Sequence, residues 1–208
     1  MGQYYRTVYG DLKGKLISVF DLTVDNLPKG LEESKYIGAK LMEHSYWDVI
    51  YVNSISNLLF NNPGRIIWLG DYAENEDLKY LMRINSAEEI FSYRQVWGEK
   101  SVKLSPVNYS DFNMKDKYLV NHDKKLYLSC DSYYKESKSF VSKGYDLVIH
   151  PLPLLTAVGN GRGGGDFDSY AKKGMEYVGL WAWDLIEIRD DIPEGYKLVN
   201  YRFIEDYD

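Results

Sequence analysis

The alternation of apolar and polar positions divides the chain into short β-prone runs with a few helical stretches between them. Residues 4–9 (Tyr-Tyr-Arg-Thr-Val-Tyr) and 15–23 (Lys-Leu-Ile-Ser-Val-Phe-Asp-Leu-Thr) flank Gly10-Asp11-Leu12-Lys13-Gly14, which predicts an opening hairpin. Ser45 with Asp48 three residues later predicts a capped helix start. Val49, Ile50, Val52, Ile55, Leu58 and Leu59 then recur at helical spacing until Asn61-Asn62-Pro63-Gly64 stops them. Arg65-Ile66-Ile67-Trp68-Leu69 reads as a buried strand running into the turn Gly70-Asp71-Tyr72. Leu78, Leu81 and Met82 predict a short helical piece, and Ser86 with Glu89 caps another that reaches Val96. A hairpin is expected over 117–120 and 124–130, tipped by Asn121-His122-Asp123, and a strand over 146–149 that Pro151 and Pro153 terminate. The last expectation is a long hairpin, 177–189 against 196–204, joined through Ile192-Pro193-Glu194-Gly195. Period two places its Trp181 and Trp183 on one strand face. Strands outnumber helices, so the pattern predicts an α+β fold. Its sheet is mostly antiparallel and built from hairpins, with two or three helices packed on it in a single globular domain over 1–208.

Composition narrows the function classes. The chain has 208 residues, 31 acidic against 25 basic, for a formal charge of −6, and the basic residues form no dense run. Phosphate neutralisation along a duplex needs a basic face, so no extended nucleic-acid contact is expected, and only a local basic groove is left open. No run approaches the length of a membrane span, and residues 1–6 lack the basic-then-apolar layout of a signal peptide, which predicts a soluble, cytoplasmic protein with no membrane contact. Gly2 invites a myristoylation reading, but Arg6 stands where that motif requires Ser or Thr. The lone Cys130 and the scattered His44, His122 and His150 make no metal-ligand cluster, and no cofactor is expected. Twenty tyrosines suit half-buried strands, and equally interfaces and stacking platforms.

The most informative segment is Gly159-Asn160-Gly161-Arg162-Gly163-Gly164-Gly165-Asp166. So many glycines carry a large unfolded-state entropy. They also free consecutive backbone N–H groups to form an anion-binding nest, to which Arg162 would add paired donors. The run satisfies Gly-x-Gly-x-x-Gly literally. It opens no long helix of a βαβ unit, however, and has no Lys-Ser/Thr ending, so it is neither a dinucleotide fingerprint nor a P-loop. A surface loop or a tight bend is the alternative use of these glycines. Asp71 and Tyr72, just past a buried strand, are placed to face a crevice, where the carboxylate would serve as base, metal ligand or acceptor from a ribose hydroxyl. An Asx-turn closing the strand is the competing role. His44 is a third candidate as a group that titrates near neutrality, beside a Ser45 better explained as a helix cap than as a nucleophile.

Met1-Gly2-Gln3-Tyr4-Tyr5, Lys40-Leu41-Met42-Glu43-His44-Ser45, Trp68-Leu69-Gly70-Asp71-Tyr72-Ala73, the run from Leu152-Pro153-Leu154-Leu155 through Asp166, and Trp181-Ala182-Trp183-Asp184 form blocks along the whole chain. In these blocks the chain resembles an uncharacterised family of bacterial and phage genomes. The resemblance implies a phage or mobile-element setting, in which small soluble proteins antagonise host immunity, and no catalytic residue. The expected function is binding of an anionic, nucleotide-like small molecule through the Gly/Arg loop, with Asp71 and Tyr72, as in sequestration of a host immune signal. A hydrolase of nucleotide or sugar-phosphate bonds using Asp71, Asp166 or His44 is the alternative. An inhibitor that binds a host protein through exposed aromatics is the third.

Overall fold

The computed structural model describes residues 3–31, 40–42, 44–73, 93–97, 103–140, 147–159, 167 and 171–205. The opening hairpin forms as expected from β1 (Tyr5–Gly10) and β2 (Leu16–Asp25). Its turn is closed by the Asp11 carboxylate, which accepts from the backbone N–H of Lys13 at 2.9 Å and of Lys15 at 2.8 Å. Strand β3 (Gly64–Gly70) lies along the other edge of β1, antiparallel, with Tyr5 opposite Gly70 and Gly10 opposite Arg65.

The remaining strands are β4 (Leu104–Asn108), β5 (Tyr118–Asn121), β6 (Leu126–Ser129), β7 (Ala157–Val158), β8 (Ala171–Lys173), β9 (Leu185–Arg189), β10 (Lys197–Leu198) and β11 (Ile204–Glu205). The main sheet runs β10-β6-β5-β9-β3-β1-β2-β4, with β7 paired to β3 off this path, while β8 and β11 form a separate pair. Antiparallel pairings outnumber the parallel ones, β2–β4, β3–β7 and β6–β10. The fold is α+β. Its helices are α1 (Ile50–Leu58), α2 (Tyr93–Trp97), α3 (Cys130–Lys138) and α4 (Pro151–Leu155), four among the described residues rather than two or three.

Strand alternation sends Tyr5, Ile66, Trp68, Leu119, Ile186 and Ile188 to one face. There they pack with Tyr51 and Ile55 of α1, Tyr133 of α3 and Leu152 of α4. The opposite face carries Val8, Val19, Ile67 and Leu69 under Val96, Ala182 and Trp183. Arg6, also on this face, lies 4.2 Å from the Trp97 ring centroid and donates to the Val96 carbonyl at 2.6 Å, which fastens α2 to the sheet.

Several local expectations need correction. The final hairpin does not form: residues 178–184 are turns, β9 pairs with β3 and β5, and β10 pairs in parallel with β6. Trp181 and Trp183 are both core residues, but they belong to clusters on opposite faces. Val49, not Ser45, caps α1, and Ser45 is buried with its carbonyl accepting from the His150 N–H at 2.6 Å. Cys130 opens α3, where the Ser129 hydroxyl accepts from the Ser132 N–H and Lys135 pairs with Asp131. The strand expected over 146–149 does not form among the described residues, where Ile149 makes only an isolated bridge to Tyr46, and Pro151 starts α4, where its missing N–H is no loss. The helical pieces expected over 78–82 and from Ser86 lie outside the described residues, except for the last turn at α2.

His150 is fully buried, 4.6 Å from the Trp47 ring, and its Nδ1 accepts from the Leu152 N–H at 3.2 Å to cap α4. Burial pushes its pKa down to about 3. An unfolded imidazole titrates near ~6.5, so between these values protons bind only the unfolded chain. The stabilisation, full above ~6.5, is lost at roughly 1.4 kcal/mol per pH unit as pH falls. His150→Asn, which keeps a cap acceptor without the titrating ring, is predicted to lose less stability than the native chain between pH 7.5 and 4.5. Urea midpoints of the two proteins at both pH values check this, and equal losses refute it.

Candidate functional site

Strands β3 and β7 run parallel, Trp68 beside Ala157 and Leu69 beside Val158, so they leave the sheet side by side at Gly70 and Gly159. The chain enters β1 at the same place, because Tyr5 lies opposite Gly70. Three segments distant in sequence therefore meet at one corner, and Gln3 fills it. Its side chain is fully buried, its Oε1 accepts from the Tyr5 hydroxyl at 3.1 Å, and its Nε2 has no hydrogen-bond partner among the described residues.

The two glycines make room for that carboxamide. A Cβ at Gly159 would stand 2.5 Å from Gln3 Nε2 and 2.6 Å from the Tyr5 hydroxyl, and a Cβ at Gly70 would overlap the same nitrogen. On the other side of the strand end, Asp71 Oδ1 accepts from the Tyr4 N–H at 3.0 Å, and the Asp71 N–H donates to the Tyr4 carbonyl at 2.8 Å. Partial burial raises the Asp71 pKa, against the opposing effect of the Tyr4 N–H. Tyr4 and Tyr72, next to Asp71 in space and in sequence, are 43% and 40% exposed. The strand end thus carries, on one side, a buried donor with no partner among the described residues and, on the other, a carboxylate flanked by two exposed tyrosines.

Among the residues singled out from sequence, the structure brings Asp71, Tyr72 and Gly159 together. Asn160, Gly161, Arg162, Gly163, Gly164, Gly165 and Asp166 lie outside the described residues. His44 lies in a turn two residues ahead of the Tyr46–Ile149 bridge. Gln3 was missed, although its place in the first sequence block was the available signal. Among the described residues no helix is long and apolar enough to cross a membrane, and no group of three or more His, Cys, Asp or Glu side chains could hold a metal ion.

A second polar cluster, also missed, lies toward the opposite end of β3. The Arg65 guanidinium bridges Asp123 at 2.7 Å and the Trp183 carbonyl at 2.8 Å. The nearly buried Asp184 accepts from Asn121 at 2.7 Å and pairs with Lys124. Beside them His122 lies between Tyr196 and Glu187.

Compared with protein-family models, with curated proteins and with solved structures, the chain matches none. The geometry of the corner is therefore what bears on function. Gly70→Ala is predicted to displace the Gln3 carboxamide and to destabilise the fold by about 1–3 kcal/mol, the usual range for overpacking. Adding Gln3→Ala should relieve part of that loss. A double-mutant cycle in urea measures the coupling, and strict additivity would show that the two residues do not compete for the same space.

Proposed function

We propose that the chain binds an anionic, nucleotide-like small molecule at the corner where β3 and β7 end. One observation carries the reading: two parallel neighbours run out together at Gly70 and Gly159, against a buried carboxamide N–H that has no acceptor among the described residues. Ligands of open α/β sheets lie in the crevice beyond the carboxyl ends of such strands, where side chains do not block the approach. Exposed Tyr4 and Tyr72 are suited to stack on a base, and an unpaired donor suits a carbonyl or phosphate oxygen. The residues that follow Gly159 in the chain supply the anion-binding chemistry, glycine N–H groups and the Arg162 guanidinium. A cytoplasmic phage protein that sequesters a host immune signal is the setting this reading favours.

Calorimetry with a panel of cyclic and linear nucleotides should give a stoichiometric ligand that mass spectrometry recovers intact. Arg162→Lys should weaken it, because an ammonium cannot reproduce the planar paired donors, and Arg162→Ala should weaken it further. The full loss should reach ~1.5–3 kcal/mol, about ten- to more than a hundredfold in affinity, with an unchanged melting temperature. Silence across the panel would reject the reading. Unfolding of Arg162→Ala would assign the arginine a structural task instead.

A further inference from the structure

The second polar cluster contains an arrangement that the proposed ligand corner does not use. Glu187 on β9 is 5% exposed, and its Oε2 lies 2.8 Å from His122 Nε2; the other ring nitrogen, Nδ1, lies 2.9 Å from the Tyr196 hydroxyl. Both distances are within hydrogen-bond reach. Each partner is fixed by a different element. Glu187 is held by strand pairing opposite Val120, and Arg189 donates to the same carboxylate oxygen at 3.2 Å. His122 follows β5, with its N–H donating to the Leu185 carbonyl at 2.9 Å. Tyr196 closes a turn from Pro193 in which Gly195 takes φ 80°, and its ring meets that of His122 edge-on at 5.7 Å.

A carboxylate that accepts a hydrogen bond from Nε2–H favours the tautomer with its lone pair on Nδ1. The phenol then donates to Nδ1. This order, a hydroxyl on a base and the base on an orienting carboxylate, is the signature of an activated nucleophile. We infer that Tyr196 is a nucleophile activated by His122, with Glu187 as its positioning residue, and that it accepts acyl groups from uncharged esters. An uncharged electrophile fits because Arg189, the guanidinium that shares Glu187 Oε2 with His122, is already engaged there and by Asp191 at 2.8 Å, and those carboxylates disfavour an incoming anion. In the step, the Tyr196 oxygen attacks the carbonyl carbon and its proton moves to His122 Nδ1. The bond from carbon to the leaving oxygen breaks, and the alcoholate departs with the electron pair. Glu187 balances the imidazolium that results.

The experiment uses p-nitrophenyl acetate on the whole chain, with nitrophenolate release read by absorbance and acetyl groups located by peptide mass spectrometry. The expected result is one fast equivalent of nitrophenolate and an acetyl group on Tyr196 ahead of exposed Tyr4 and Tyr72, which serve as internal controls. Tyr196→Phe should remove the fast phase, and His122→Gln should slow it by about a hundredfold or more, the range of general-base assistance. Labelling of Tyr196 no faster than Tyr4 or Tyr72 in the native chain overturns the inference. So does an unchanged rate in a folded His122→Gln protein. Because the control tyrosines report within the native protein, their labelling rates decide the matter even if a variant fails to fold.

Discussion

Six of the seven residues of β3 are buried and only Arg65 is partly open, so the two edges of this strand decide how the rest of the chain is arranged. One edge is continuous with β1. The other is shared, because β9 takes Gly64 and Arg65 in antiparallel register and β7 takes Trp68 and Leu69 in parallel. Between them the Ile66 carbonyl has no strand partner, and the Trp183 N–H fills the gap at 2.9 Å. Reaching it puts Trp183 at φ 61°, a left-handed conformation that costs a bulky residue roughly 1–3 kcal/mol. Leaving a buried carbonyl unpaired costs about 1–3 kcal/mol as well. The two penalties are comparable, and packing then decides: the indole is buried against Gly10, where a Cβ would stand 2.7 Å from its ring.

The shared edge also explains why chemistry collects at the ends of β3. Since β7 is parallel to β3, both exit together, at Gly70 and Gly159, where the absence of side chains leaves room for the Gln3 carboxamide. Since β9 is antiparallel, it enters beside the start of β3, and the β5–β6 turn arrives there with His122, Asp123 and Lys124. One end is therefore a glycine-lined corner with a single buried donor. The other is a ridge of paired charges around Arg65, Asp184 and Glu187.

What the sequence made legible follows the range of the interactions involved. The β1–β2 and β5–β6 hairpins and α1 were readable because their turn residues and periodicities are local. Helix α3 carried local signals too, Ser129 as a cap and Asp131 four residues before Lys135, but the β-prone run before Cys130 hid them. Residues 177–184 read as strand because Tyr, Val and Trp favour strands; the structure instead closes them into successive local turns, such as Ala182 N–H to the Gly179 carbonyl, and anchors these to α4 and β3 through bonds such as Gly179 N–H to the Leu154 carbonyl. Asp71 was visible as a carboxylate past an apolar run. Gln3 was not, since a buried glutamine has no periodic signature and its place is set by two glycines far along the chain. His122, Glu187 and Tyr196 were scattered for the same reason.

The Gln3 corner poses an energetic question that packing alone does not answer. A leucine or methionine would fill the space between Gly70 and Gly159 without burying an amide, and leaving Nε2 unpaired costs about 1–3 kcal/mol in the unliganded chain. The Tyr5 hydroxyl donates to Oε1, so one end of the amide is paired while the other is not. On the proposed reading, an acceptor oxygen would satisfy the N–H, so the penalty of the unpaired donor becomes part of the affinity for the molecule that supplies it. The same donor would disfavour a wholly apolar guest, which would leave it unpaired and still buried, so the corner selects for an oxygen at that point.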